Sequence, residues 1–359
     1  MSGPAGLEAL RRAADAGEAR TVRVCFSDHY GVLRGRRIAA PVFAADPDAR
    51  QGFCDGALVW DIRCDIFEGI DFSNYGTGYP DLYVRPEHGT LRPCAWTAGE
   101  WSVFGDCRDD EGEAIDVDPR GILRAIAARS GSPNVTAELE LHLEAEQPDR
   151  FIAAIDAAAN GIGIELVALV HSAGDGVARI GLPGLGAIAA ADALVTLRSA
   201  AREIAATSGV AMTAMSQTEE GGRATRLLIE VTDESGRAVE QPAVEELALL
   251  LRPLPSGAHG VVAGGSAVAV AASDANPYLA IAAAIAAAAE PAAEPRPAVE
   301  SGTGDPYRSS IRRLSASALA RRWFPERFIH DTLALAVREA GISENGGGPW
   351  DVARYRECG

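Results

Sequence analysis

A chain of 359 residues is long enough for two domains, or for one large domain with a sizeable buried core. Fifty acidic residues against 33 basic ones leave a net charge of −17, which argues against nucleic acid or an anionic membrane surface as the main partner. All 33 basic residues are arginine, so a phosphate-loop lysine, a lysine Schiff base with pyridoxal phosphate and a lysine nucleophile are excluded. Six cysteines (Cys25, Cys54, Cys64, Cys94, Cys107, Cys358) show no CxxC spacing, so reduced thiols are expected. The longest apolar run, Tyr278 to Ala289, is mostly alanine and too short to span a bilayer. Glu8, Arg11, Arg12 and Asp15 stand where a secretory signal would be apolar, so a cytoplasmic location is expected.

In chain order, Gly6 to Ala16 reads as a short helix. Thr21 to Asp28 alternates apolar and polar residues as a half-buried strand does, and His29-Tyr30-Gly31 turns it into a return strand from Val32 to Ile38. Up to about Asp110 the chain is rich in Gly, Pro and aromatics in short strand-like pieces. After Asp118-Pro119-Arg120, helical stretches (121–128, 151–159, 190–207, 277–289) alternate with strands, which predicts a boundary near residue 112. A proline- and glutamate-rich connector is read over 289–304, followed by a helical piece from about Ser315 to Ala340.

The stretch with most chemical potential is Val135 to Glu144. A strand period puts Glu138, Glu140, His142 and Glu144 on one face and Leu139, Leu141 and Leu143 on the other. Carboxylates and an imidazole about 7 Å apart down a strand could hold a metal or act as acid and base. The plainer reading of the same pattern is an outer strand with a solvated acidic face. A second strand is expected from Gly163 to His171, where a lone histidine at a strand end reads as an exposed polar residue. Arg223, Arg226 and Glu230 read as the charged face of a strand over 224–231. Gly264-Gly265-Ser266 lacks the lysine of a phosphate loop, and Asn276-Pro277 has the form of a helix start with Asn as N-cap.

Taken together, these segments resemble the glutamine synthetase family. Phe26 to Gly35, Pro80 to Pro86 and Thr90 to Trp96 resemble its small N-terminal β-grasp domain, and Asp118-Pro119-Arg120 the entry to its catalytic domain. Ala137-Glu138-Leu139-Glu140 is similar to the family's E-x-E strand. Ala191-Asp192, Asp274 to Ala284 and Trp350 to Tyr355 match in the expected order. The resemblance implies an α+β fold, with a β-grasp-like domain over 1–112 and a catalytic-type domain with an antiparallel sheet and surrounding helices over 113–359. It also implies a ring-like homo-oligomer in which Asp28 approaches the neighbouring subunit's funnel.

Family members form γ-glutamyl phosphate from glutamate and ATP and let an amine displace the phosphate, with divalent metals held by glutamates and a histidine. Glu138 and Glu140 persist and Asp28 matches the N-terminal aspartate. The two further glutamates fall on His171 and Arg179, the Lys-Pro on Gln217-Thr218, and the metal-binding histidine on Arg226. From Pro253 to Ala289 the only charged residue is Asp274, and the loop region that closes over substrate is shortened near 253–273. Two like charges 4 Å apart repel by about 4 kcal/mol at an effective dielectric near 20, so arginine in place of a metal-ligating carboxylate opposes Mg-ATP chemistry. Three readings follow. One is a non-catalytic scaffold or regulator that associates with itself, an active paralogue or a pathway enzyme, without a cofactor. Another is a repurposed funnel, in which Asp28, Glu138, Glu140, His171, Arg179 and Arg226 are the candidate active residues and Glu138, Glu140, His142 and His171 the candidate ligands of a transition metal. The last keeps Mg/ATP-dependent carboxylate–amine ligation on an unusual substrate.

Overall fold

The computed structural model describes residues 3–145, 147–172, 174–260, 267–290 and 305–356. The connector read over 289–304 lies outside the described residues from 291 onward, and Gly264, Gly265 and Ser266 lie outside them altogether.

The first segment runs α1 (Gly3–Asp15), β1 (Thr21–Ser27), β2 (Leu33–Ala39), α2 (Ala40–Ala45), β3 (Gln51–Cys54), β4 (Asp81–Pro86), β5 (Arg92–Pro93) and β6 (Glu100–Arg108). Val22, Val24 and Phe26 alternate into the core, as the period-2 pattern of β1 dictates. These strands form a sheet in the order β2-β1-β6-β4-β3, with β1 and β6 parallel and β5 also paired to β6. The β1–β2 hairpin closes through Asp28 to Gly31. Gly31 is required there: its φ is +78°, and a Cβ would lie 2.5 Å from Arg198 Nη2.

The second segment runs α3 (Pro119–Arg129), β7 (Asn134–Glu144), α4 (Pro148–Gly161), β8 (Ala168–Ser172), β9 (Val177–Gly186), α5 (Ala187–Ser208), β10 (Ala211–Thr213) and β11 (Arg226–Thr232). It continues with α6 (Ala248–Leu251), α7 (Pro255–Gly260), β12 (Ala269–Ala272), α8 (Pro277–Ala288), α9 (Pro306–Ala316), α10 (Ala318–Trp323), α11 (Glu326–Ile342) and α12 (Val352–Tyr355). Its sheet has the order β12-β11-β7-β9-β8, every pair antiparallel, with β10 paired to the end of β7. The strand expected from Gly163 thus begins only at Ala168. The helical piece expected from Ser315 begins at Pro306 and is broken twice, where the Ser317 side chain caps α10 and where Pro325 cannot continue a helix.

β7 is therefore a central strand, and the solvated outer face expected for it is corrected. Leu139, Leu141 and Leu143 are buried on the side that packs against α5. Burying these side chains contributes about 6 kcal/mol before opposing entropy terms. Helix α8 is mostly alanine and buried on all sides, from Pro277 to Ala287. Asn276 caps it, its side chain accepting from the Tyr278 amide at 2.9 Å.

Two arginines bind the segments together. Arg120, 1% exposed, donates to Asp106 on β6 at 2.6 Å and to both Asp192 oxygens on α5 at 3.0 Å, and the Tyr278 hydroxyl completes the cluster at 2.6 Å from Asp192. Arg23 on β1 holds Glu100 at 2.5 Å and also pairs with Glu203 of α5.

Candidate functional site

The register of the second sheet decides which side chains meet. Glu140 pairs with Arg179 and Arg179 with Val170, while Leu228 pairs with Glu138. Residues directly opposite share a face, so Glu138, Glu140, His142, Arg179 and Arg226 lie on one side of the sheet. His171 pairs with Ala178, which pairs with Leu141. It therefore belongs to the opposite face, and its expected place in the funnel is corrected: Val170 occupies the position facing Arg179.

Glu140 is wholly buried, and its carboxylate is fully engaged. Oε1 accepts from Arg179 Nε at 3.1 Å and Arg226 Nη2 at 3.2 Å; Oε2 accepts from the Arg226 amide at 3.1 Å and its Nε at 3.2 Å. Arg223 stands 3.7 Å from Oε1. Asp175, in the β8–β9 turn, ties the outer ends together, accepting from Arg179 at 3.1 Å and Arg223 at 2.6 Å. The hydrogen bond to Glu140 raises the pKa of Arg226. At Asp175 burial pushes the pKa up, but the hydrogen bond from Arg179 and its other partners hold it below the usual carboxylate range. Burial lowers the pKa of His142, and its buried Nε2 has no partner. His142, Glu144, Asp175, Thr213 and Thr218 line a cavity of about 450 Å³ beside the cage.

The other expected positions do different work. Gln217 is buried, and its Nε2 donates to the carbonyls of Glu219 and Gly222, closing that turn. Within the chain, Asp28 builds the hairpin turn. It is 4% exposed, its carboxylate accepts from the amides of Tyr30 and Val32 and from Arg34, and its carbonyl is held by Asn276. Its short side chain is spent on the hairpin turn that it builds.

These donors do not fit the divalent ions of Mg-ATP chemistry. Magnesium needs oxygen ligands at about 2.0–2.1 Å in near-octahedral geometry. Both oxygens of Glu140 already accept two hydrogen bonds each. A doubly charged ion about 4 Å from one guanidinium would be repelled by about 8 kcal/mol at an effective dielectric near 20, less where water screens the half-exposed Arg223 and Arg226. Among the described residues, no three of Glu138, Glu140, His142 and His171 bring ligand atoms within 4.8 Å of one another, so the metal set expected from the sequence is not assembled. Asp175 was missed because Gly174-Asp175-Gly176 reads only as a turn. Its charge matters through a hairpin register that the pattern does not reveal.

Residues 87–225 match the family model for the glutamine synthetase catalytic domain. A stretch of 143 residues is 31% identical to gamma-glutamylethanolamide synthetase GlnA4 of Streptomyces coelicolor, covering 39% of this chain and 31% of that protein. Another of 110 residues is 29% identical to a glutamate–isopropylamine ligase of a Pseudomonas species, covering 29% of this chain and 23% of that protein. The match thus spans less than a third of these relatives' length. Nearly the whole chain superposes on a structure described as a novel glutamine synthase homolog, with a TM-score of 0.76 and 16% identity, over 95% of this chain and 99% of that one. It superposes similarly on ligand-free GmaS, with a TM-score of 0.72, 16% identity and coverage of 96% and 98%. The architecture is the α+β fold of glutamine synthetases. Over residues 87–225 the chain is similar to the glutamine synthetase catalytic domain, and that match ends at Thr225, one residue before Arg226.

Proposed function

We infer that this protein is a glutamine synthetase homologue without Mg-ATP-dependent glutamate–ammonia ligation, acting as a scaffold or regulatory partner. The observation that carries this reading is the Glu140 carboxylate, closed by Arg179 and Arg226 where the family holds metal. Its associations would be with further copies of itself in a ring, and with an active paralogue or a pathway enzyme. No helix among the described residues is long and apolar enough to cross a membrane. Calorimetric titration with Mg-ATP and Mg-ADP tests the reading. No heat at millimolar nucleotide is expected, and saturable binding near the micromolar range would overturn it.

A second reading, ATP-dependent ligation of a carboxylate to an unusual amine, is favoured by the relatives, which are named as γ-glutamylethanolamide and glutamate–isopropylamine ligases. ADP release in an amine and acid screen would establish it. A third reading, a repurposed funnel binding a carboxylate, draws on Arg223 and Arg226, whose side chains are 43% and 41% exposed around Glu140. It predicts small-carboxylate binding that Arg226→Ala abolishes.

A further inference from the structure

Away from the Glu140 cage, the loop around residue 71 meets α11. His330 Nδ1 lies 3.3 Å from Asp71 Oδ2 and 3.2 Å from Asp331 Oδ1. The three residues bring one ligand atom each within 4.8 Å of the others, the one such grouping among the described residues. We propose that Asp71, His330 and Asp331 form a binding site for a divalent transition-metal ion of the zinc class.

The spacing carries the argument. Around a tetrahedral ion with bonds of about 2.0–2.1 Å, neighbouring ligand atoms stand about 3.3 Å apart. A charge-assisted hydrogen bond would draw the same atoms to about 2.7–2.9 Å. The observed 3.2 and 3.3 Å match the edges of a coordination tetrahedron, and the 3.2 Å pair is also within hydrogen-bond reach when no ion is bound.

Asp331 is pre-oriented for this role. It is 2% exposed, and its carboxylate accepts from the amides of Asp71 at 2.7 Å and Phe72 at 3.1 Å, the kind of outer support that fixes a ligand. Asp71 and His330 have half or more of their side chains exposed, so a fourth position opens to water. Beside His330 runs an open groove of about 820 Å³ on whose rim Glu68 adds another carboxylate. Arg338, the nearby cation, is drawn off by Asp61 at 2.8 Å. One imidazole nitrogen with two carboxylate oxygens suits zinc, cobalt or nickel better than magnesium or calcium, which favour oxygen alone. The bound ion clips the loop of the first segment to α11 of the second.

The test uses the tag-free full chain, stripped with chelator and titrated with zinc against a chromophoric indicator, with thermal melts in parallel. One zinc per chain and a raised melting temperature are expected. His330→Ala and Asp71→Asn should each weaken binding by about tenfold or more and erase the melting shift. Asp71 has an exposed side chain, so Asp71→Asn decides the matter if His330→Ala fails to fold. Absence of saturable zinc binding, or binding unchanged in Asp71→Asn, would overturn the proposal.

Discussion

Asn276 Nδ2 donates to the Asp28 carbonyl at 2.8 Å and to the His29 carbonyl at 3.2 Å, while its Oδ1 accepts from the Tyr278 amide. One buried side chain thus caps α8 and holds the turn of the first hairpin. Asn276→Ala loses the cap and strands two buried carbonyls, so a loss of about 2–4 kcal/mol is expected in urea denaturation. Asn276→Asp keeps the cap acceptor but not the donors and should fall between. Equal stability of all three proteins would refute the coupling.

Removing the charge of Glu140 leaves three guanidiniums facing one another. Breaking a buried pair on one side costs about 3–5 kcal/mol, and partial exposure of the arginines trims this to about 2–3 kcal/mol for Glu140→Gln. Equilibrium denaturation reads the difference directly. A change within about 0.5 kcal/mol would mean that the cage contributes little to folding.

Putting ligands back should open the face. Arg179→Glu combined with Arg226→His supplies the carboxylate and imidazole that the family resemblance implies at those positions. The double variant should bind one more Mn2+ per chain than the parent, counted from the free-ion signal in electron paramagnetic resonance. An unchanged count would show that more than these arginines keeps metal out.

Acidity offers a separate check. Burial raises the pKa of Asp274 to about 6, outweighing the amide of Ser216 and the charge of Arg198. A carboxyl with a raised folded-state pKa holds its proton longer when folded. Its stabilising contribution is therefore present below about pH 4 and is lost as pH rises towards about 6. Asp274→Asn should gain on the parent by about 1–3 kcal/mol between about pH 4 and 7. Asp118, also raised to about 6, contributes the same slope, whereas burial holds His29 down at about 4 and gives the opposite one. Comparing variant with parent at each pH cancels both, and a gap independent of pH would contradict the assignment.

The elements near strong local signals were legible in the sequence. Asn276-Pro277 and Asp118-Pro119 start helices because cap and proline act within one turn, and the β1–β2 hairpin follows its alternation. The face-sharing of Glu138, Glu140 and His142 was legible for the same reason. What failed depended on pairing between distant segments. That β7 is flanked by β9 and β11 is a fact of topology, and one residue of register carries His171 to the other face. The capture of Glu140 by arginines from β9 and β11 follows from that same pairing.

The cage around Glu140 has one more consequence. A metal at such a carboxylate is an exchangeable visitor: a chelator strips it, dilution releases it, and acid competes for its ligands. Guanidiniums anchored in the neighbouring strands never leave and stay protonated at any pH at which the protein is folded. On the proposed reading the chain carries its own counter-ions at fixed effective concentration, and the charge balance of this face would be the same in metal-starved and metal-replete surroundings.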